Sequence, residues 1–248
     1  MKKNVAYISL TSCIILIILL VLLKISISRI NRWKNDNKEN ENIQEEIMKT
    51  AIIQDDKSEI NTNSYKVDFK SLKNINSDTV GWLEVPGTNI NYSVVQTNNN
   101  DYYLTHNFNK EYNAAGWIFA DENNKFDGND KNIVIYGHNV RNGSMFSSLK
   151  NVINEEWYNN EENYNIKLIT ENTEDIYRVF SVYQIEAEDY YIQTKFESST
   201  IFEEFKENLQ KRSVKNFGET VGADDKILTL STCANNNKYR IVLHAKKI

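Results

Sequence analysis

The first strong feature along the chain is an apolar block: Val5 to Leu23, VAYISLTSCIILIILLVLL, runs 19 residues without a charge. Wound as a helix it extends roughly 28 Å, close to the hydrocarbon thickness of a bilayer. The apolar region of a secretory signal is shorter, and the following KISISRI offers only Ser26-x-Ser28 as a weak cleavage-like site. An uncleaved membrane anchor over residues 1–30 is the expectation. NDNKENENIQEE comes next and reads as solvated juxtamembrane chain. Ile43, Ile47, Met48, Ala51 and Ile52 then recur at helical spacing, which predicts an amphipathic helix from about 42 to 53. DDKSEINTNS follows as a linker. Residues 31–64 thus form a polar juxtamembrane segment, and a folded domain occupies 65–248.

Beyond Tyr65 the pattern is one of short β-runs. VGWLEVPGTNINYSVVQ makes two, broken at the turn dipeptide Pro86-Gly87, and AGWIFAD, NIVIYGHN, YNIKLIT, IYRVFSVYQI, KILTLSTC and YRIVLHAKK add six. Two segments read as helices. MFSSLKNVINEEWYNN covers about 145 to 159; SSTIFEEFKENLQKRSV carries Ile201, Phe205 and Leu209 every fourth residue, with Ser199 or Thr200 as cap. Eight strands are about the number whose interior side chains alone can fill a closed barrel. The expected fold is therefore mostly β, a barrel of about eight strands with peripheral helices, preceded by a transmembrane helix.

Charge and cysteine content narrow the chemistry. A net charge of -5 argues against nucleic acid as a partner, because phosphate binding needs a basic face. Of the two cysteines, Cys13 lies in the apolar block, so Cys233 is a free thiol. The Cys and His positions lack zinc-ligand spacing, and no P-loop or dinucleotide-binding glycine pattern occurs, so no metal and no cofactor is implied.

In KILTLSTC, Ile227, Thr229, Ser231 and Cys233 share one face and Leu228, Leu230 and Thr232 the other. Cys233 stands at the strand end, where a group is held rigidly yet reaches solvent. A nucleophilic thiol must ionise, which calls for a nearby positive charge or base. Arg240 opens the next strand, and a hairpin returns it beside Cys233. There it serves either as donor to a developing oxyanion or as one half of a surface ion pair on the barrel rim. Three histidines are candidate acids or bases. His138 ends an apolar strand after a glycine, His244 lies mid-strand about 13 Å from Arg240 at strand rise, and His106 falls in a loop. Position ranks His138 first.

TLSTC, followed by an arginine that opens the terminal strand, resembles the active-site strand of the sortases, transpeptidases that attach proteins to Gram-positive cell walls. NIVIYGHNVRNGSMFSSLKNV is similar to that family's catalytic-histidine segment, and VGWLEVPGTNINYSVVQTNNNDYYLTHNF to its N-terminal half. The helix before the cysteine strand and the extra N-terminal helix resemble class B members. The resemblance implies Cys233 as nucleophile, His138 as general acid/base and Arg240 as the oxyanion or substrate-positioning arginine. It also implies Asn100, Leu104, Tyr191, Ile192 and Ser231 as lining of a sorting-signal groove. Some class B members carry an acidic residue between cysteine and arginine. Ala234 to Tyr239 has none, which leaves an Asn or a backbone carbonyl to orient His138.

The function so implied is cleavage of a sorting motif after a threonine and transfer of the acyl group to a peptidoglycan amine, from a precursor or a cross-bridge. The alternative is a membrane-anchored surface binding module with a structural Cys233. Lys24, Arg29, Arg32 and Lys34 outnumber Lys2 and Lys3 across the apolar block, so charge counting puts the C-terminal domain in the cytoplasm. The resemblance implies the opposite, a single-pass anchor with an extracellular catalytic domain.

Overall fold

The structure, a computed structural model, describes residues 2–54, 65–140, 142–234 and 238–248; the expected linker at 55–64 lies outside them. Helix α1 (Lys2–Ala51) is followed by β1 (Ile52–Gln54), β2 (Tyr65–Val67), α2 (Phe69–Ile75), β3 (Thr79–Glu84), β4 (Asn91–Val95), β5 (Phe119–Ala120) and β6 (Asn132–Gly137). Then come α3 (Glu155–Tyr158), β7 (Asn165–Ile169), β8 (Glu174–Glu186), α4 (Ser199–Lys211), β9 (Ile227–Ala234) and β10 (Tyr239–Lys247). Strands β3 to β10 close a barrel in the order β10-β8-β7-β3-β4-β5-β6-β9, the eight strands that the apolar runs predict. The pair β1 and β2 forms a separate ribbon.

Alternation along the strands divides the apolar residues between two layers. Trp82, Val94, Trp117, Ile135, Leu168, Val179, Leu228, Leu230 and Leu243 belong to the main core. On the opposite face of β8, β9 and β10, Phe180, Ile227 and Val242 pack with Phe202, Phe205 and Leu209 of α4. This helix starts one residue earlier than its apolar spacing suggests. Ser198, extended at φ -151, ψ 162, accepts from the Ile201 amide and is the cap, in place of Ser199 or Thr200.

Four further expectations are corrected. Residues 145–159 hold not one helix but a 3₁₀ run, Ser147–Ile153, and the single α-turn of α3. AGWIFAD yields only the two residues of β5, because Gly116 takes a left-handed φ of +58 just before it. At the N-terminus α1 is unbroken from the apolar block to Ala51, and Ile52 and Ile53 belong to β1 rather than to a helix. Its apolar part is exposed from Ile14 to Ile30, and the helix is long and apolar enough to cross a membrane. The polar stretch is not wholly solvated: Asn37 and Asn40 are as buried as Ile43 and Ile47, which enter the core one and two turns later. Its amides face the barrel, so apolar periodicity alone does not reveal that contact.

Candidate active site

Strand register assembles the three residues singled out for chemistry. β6 and β9 run parallel, with Gly137 opposite Thr232, so the next residues, His138 and Cys233, leave neighbouring strands at the same end of the barrel. β10 returns antiparallel beside β9, with Arg240 opposite Cys233. Cys233 is placed by its backbone alone; its side chain lies outside the described residues, as do 235–237 of the connecting loop. The Arg240 guanidinium is half-buried, and one of its donors reaches the Tyr239 carbonyl at 3.1 Å.

His138 is held from two sides. A Cβ on Gly137 would lie 2.6 Å from the Phe146 ring, so only glycine lets that ring pack under the strand end. The Phe146 amide in turn donates to the His138 carbonyl at 3.0 Å. On the side chain, Nε2 donates to the Leu104 carbonyl at 2.8 Å. A carbonyl can only accept, so Nε2 carries the hydrogen and Nδ1 is the nitrogen that gains or gives the second proton. Of the two alternatives left for orienting His138, a backbone carbonyl is in place among the described residues, while Asn235, Asn236 and Asn237 of the connecting loop lie outside them.

The groove candidates are fixed within the protein. Asn100 donates from Nδ2 to Asp121 at 2.9 Å and accepts the Glu122 amide on Oδ1 at 2.9 Å, which ties its loop to the end of β5. Asp121 also accepts the Tyr136 hydroxyl at 2.8 Å; burial and then that carboxylate raise the Tyr136 pKa. Leu104 ends the 3₁₀ turn Tyr102–Leu104 with its side chain half-buried. Tyr191 and Ser231 are both buried, and their hydroxyls meet at 2.9 Å. Ile192 follows on the turn Tyr190–Ile192, half-buried, and Asn132 secures this turn by donating to the Gln193 carbonyl at 2.9 Å.

His244 and His106 have other surroundings. Fully buried between barrel and α4, His244 is partnered on both nitrogens. Thr229 spends its hydrogen on Asn132 Oδ1 at 2.7 Å, so His244 Nδ1 donates to Thr229 at 2.9 Å and Nε2 accepts from Tyr183 at 2.8 Å. Burial, with the Arg212 charge adding to it, pulls the His244 pKa down to about 3. His106 stacks on Tyr102 at 4.0 Å and donates from Nδ1 to the Tyr102 carbonyl at 2.8 Å. The motifs alone do not reveal Phe146, Gly116 or the Leu104 carbonyl as neighbours of His138; packing and a main-chain acceptor leave no residue signature.

A closed eight-stranded barrel that brings a cysteine, a histidine and an arginine to one rim matches a known group of transpeptidases. The sortase-domain family model matches residues 83–248. Sortase B of Listeria monocytogenes is 34% identical over 217 residues, covering 86% of this chain and 87% of that protein. Among solved structures, sortase B from Bacillus anthracis superposes with a TM-score of 0.75 at 35% identity, covering 86% of this chain and 98% of that one. The Staphylococcus aureus sortase B–substrate complex gives a TM-score of 0.68 at 35% identity, over 73% and 84% of the two chains. The chain belongs to the sortase family, as a class B cysteine transpeptidase that acts in cell-wall anchoring.

Proposed function

We propose that the chain cleaves a sorting motif of secreted surface proteins after a threonine and passes the acyl group to a peptidoglycan amine. The Cys233 thiolate attacks the threonine carbonyl, and the oxyanion of the tetrahedral adduct takes hydrogen bonds from Arg240. His138 gives the Nδ1 proton to the departing amine as the adduct collapses to a thioester on Cys233. An amine of a peptidoglycan precursor or cross-bridge then enters, His138 takes its proton, and the second adduct expels the Cys233 thiolate. Water in place of the amine gives hydrolysis. Asn100, Leu104, Tyr191, Ile192 and Ser231 shape the groove that receives the motif. Residues 1–30 anchor the chain in a single pass, 31–64 lead away from the membrane, and 65–248 form an extracellular catalytic domain.

The register of β6, β9 and β10 carries this reading, because it sets Cys233 beside Arg240 and one strand from His138. The substrate complex of the Staphylococcus aureus relative supports a peptide as the ligand class. The test is a panel of threonine-containing peptides, read for cleavage and for transfer to small amines. Transfer that disappears in Cys233→Ala supports the proposal. A folded wild type that binds peptides without cleaving any would favour a binding module and sink it.

A further inference from the structure

The polar face of α1 ends on the backbone that surrounds His138. Asn40, fully buried, donates from Nδ2 to the Gly116 carbonyl at 2.9 Å. One turn earlier, the Asp36 carboxylate accepts the Ala114 amide at 3.1 Å, and its carbonyl accepts Asn113 Nδ2 at 2.8 Å. Glu39 takes the second hydrogen of the same Asn113 amide at 3.1 Å. Segment 113–116 is thus held by three residues of the helix that also carries the apolar block.

Gly116 in turn abuts the histidine. A Cβ placed on it would lie 3.0 Å from His138 Cδ2 and 2.9 Å from the Leu104 carbonyl oxygen. That oxygen is the acceptor of His138 Nε2. The Gly116 backbone therefore limits both the ring and the carbonyl that orients it, and Asn40 limits Gly116.

We propose that Asn40 is a positioning residue for catalysis: by holding the Gly116 carbonyl, its amide fixes the peptide that backs the His138 ring and its Leu104 acceptor. This rests on the reading of His138 as general acid/base. Its consequence is that the helix bearing the apolar block contributes to the reaction and does more than tether it. Asn40 reaches no reacting atom; its effect falls on the alignment of His138, and so on kcat rather than on KM.

The control lies on the same helix. Gln44 donates to the Asn91 carbonyl at 2.6 Å, at the start of β4, and so bonds α1 to a segment other than 113–116. Asn40→Ala, Asn40→Asp, Gln44→Ala and His138→Ala are compared with the wild-type full chain in detergent micelles, on the peptide that the panel finds to be cleaved. Small misplacements of a catalytic group are costly, so Asn40→Ala is expected to lose kcat by about tenfold or more, with KM within about twofold. Asn40→Asp keeps the shape but cannot donate, and carries the same expectation if alanine compromises folding. Gln44→Ala is expected to lower the thermal midpoint and keep wild-type kcat. With three histidines in the chain, the His138 ring resonances are readily assigned; they should move in the Asn40 variants and stay in Gln44→Ala. Wild-type kcat in both Asn40 variants, beside an inactive His138→Ala, overturns the positioning role and leaves the histidine's role standing. An active His138→Ala overturns both.

Discussion

His244→Gln isolates a buried histidine whose cost to stability depends on pH. In the wild type the ring is neutral: Nδ1 donates to Thr229 and Nε2 accepts from Tyr183. A second proton would leave Nε2–H facing a hydroxyl that already donates to it, in a site without water contact and near the Arg212 charge. The folded pKa is therefore lowered to about 3 from an unfolded value of 6.5. With a depressed folded pKa, the unfolded state binds the proton first. Stability is then unaffected by this ring above 6.5, falls as pH drops below it, and keeps falling until the pH reaches the folded value. At pH 5 the unfolded ring is protonated and the folded one is not, a difference of 1.5 pH units at 1.36 kcal/mol each, or about 2 kcal/mol. Other groups titrate in the same window, so the quantity to measure is a double difference. Unfolding free energies of wild type and His244→Gln are taken by denaturant titration at pH 8 and pH 5. The wild type should lose about 2 kcal/mol more than the variant across that interval. Equal losses, or a His244 ring resonance that titrates near 6.5, would refute the assignment of a neutral structural histidine.

The remaining predictions concern the rim. Arg240→Ala should cost about 10²–10³ in kcat/KM with the thermal midpoint nearly unchanged, and Arg240→Lys should also be strongly impaired because lysine lacks the planar fork of donors. If Arg240 makes only a surface ion pair, alanine leaves turnover intact and costs at most about 1 kcal/mol of stability. Gly137→Ala puts a methyl group 2.6 Å from the Phe146 ring, and overpacking of this kind costs about 1–3 kcal/mol; a fall in thermal midpoint with reduced kcat is expected, and a neutral variant contradicts the packing described.

Strands were legible wherever alternation met a buried face on one side and a covered layer on the other, as in KILTLSTC and YRIVLHAKK, so all eight barrel strands were named from pattern. Legibility failed where main-chain geometry overrode side-chain pattern. AGWIFAD is apolar enough for a full strand, yet the left-handed Gly116 diverts the chain to press on Tyr103 and Leu104. In 145–159 the apolar residues Leu149, Val152 and Trp157 fit an α-helix on paper, while the chain takes a 3₁₀ run through the first two. The docking face of α1 was hidden for a different reason. Its contacts are amides and carboxylates meeting backbone groups, and such residues read as solvent-facing when their partners lie over 70 positions away. For the same reason the motif residues Cys233, His138 and Arg240 were visible in sequence, whereas the Leu104 carbonyl was not: every residue has a carbonyl, and only the fold selects one.

The central claim is that Cys233 forms a thioester with the N-terminal fragment of a sorting peptide. Intact-mass spectrometry of the full chain, quenched in acid during turnover of a cleaved peptide without added amine, tests it directly. The account predicts a mass increase equal to the acyl fragment ending in threonine, mapped to Cys233, discharged by an added amine and missing in Cys233→Ala. Turnover by Cys233→Ala, or an adduct mapped to another residue, would contradict it.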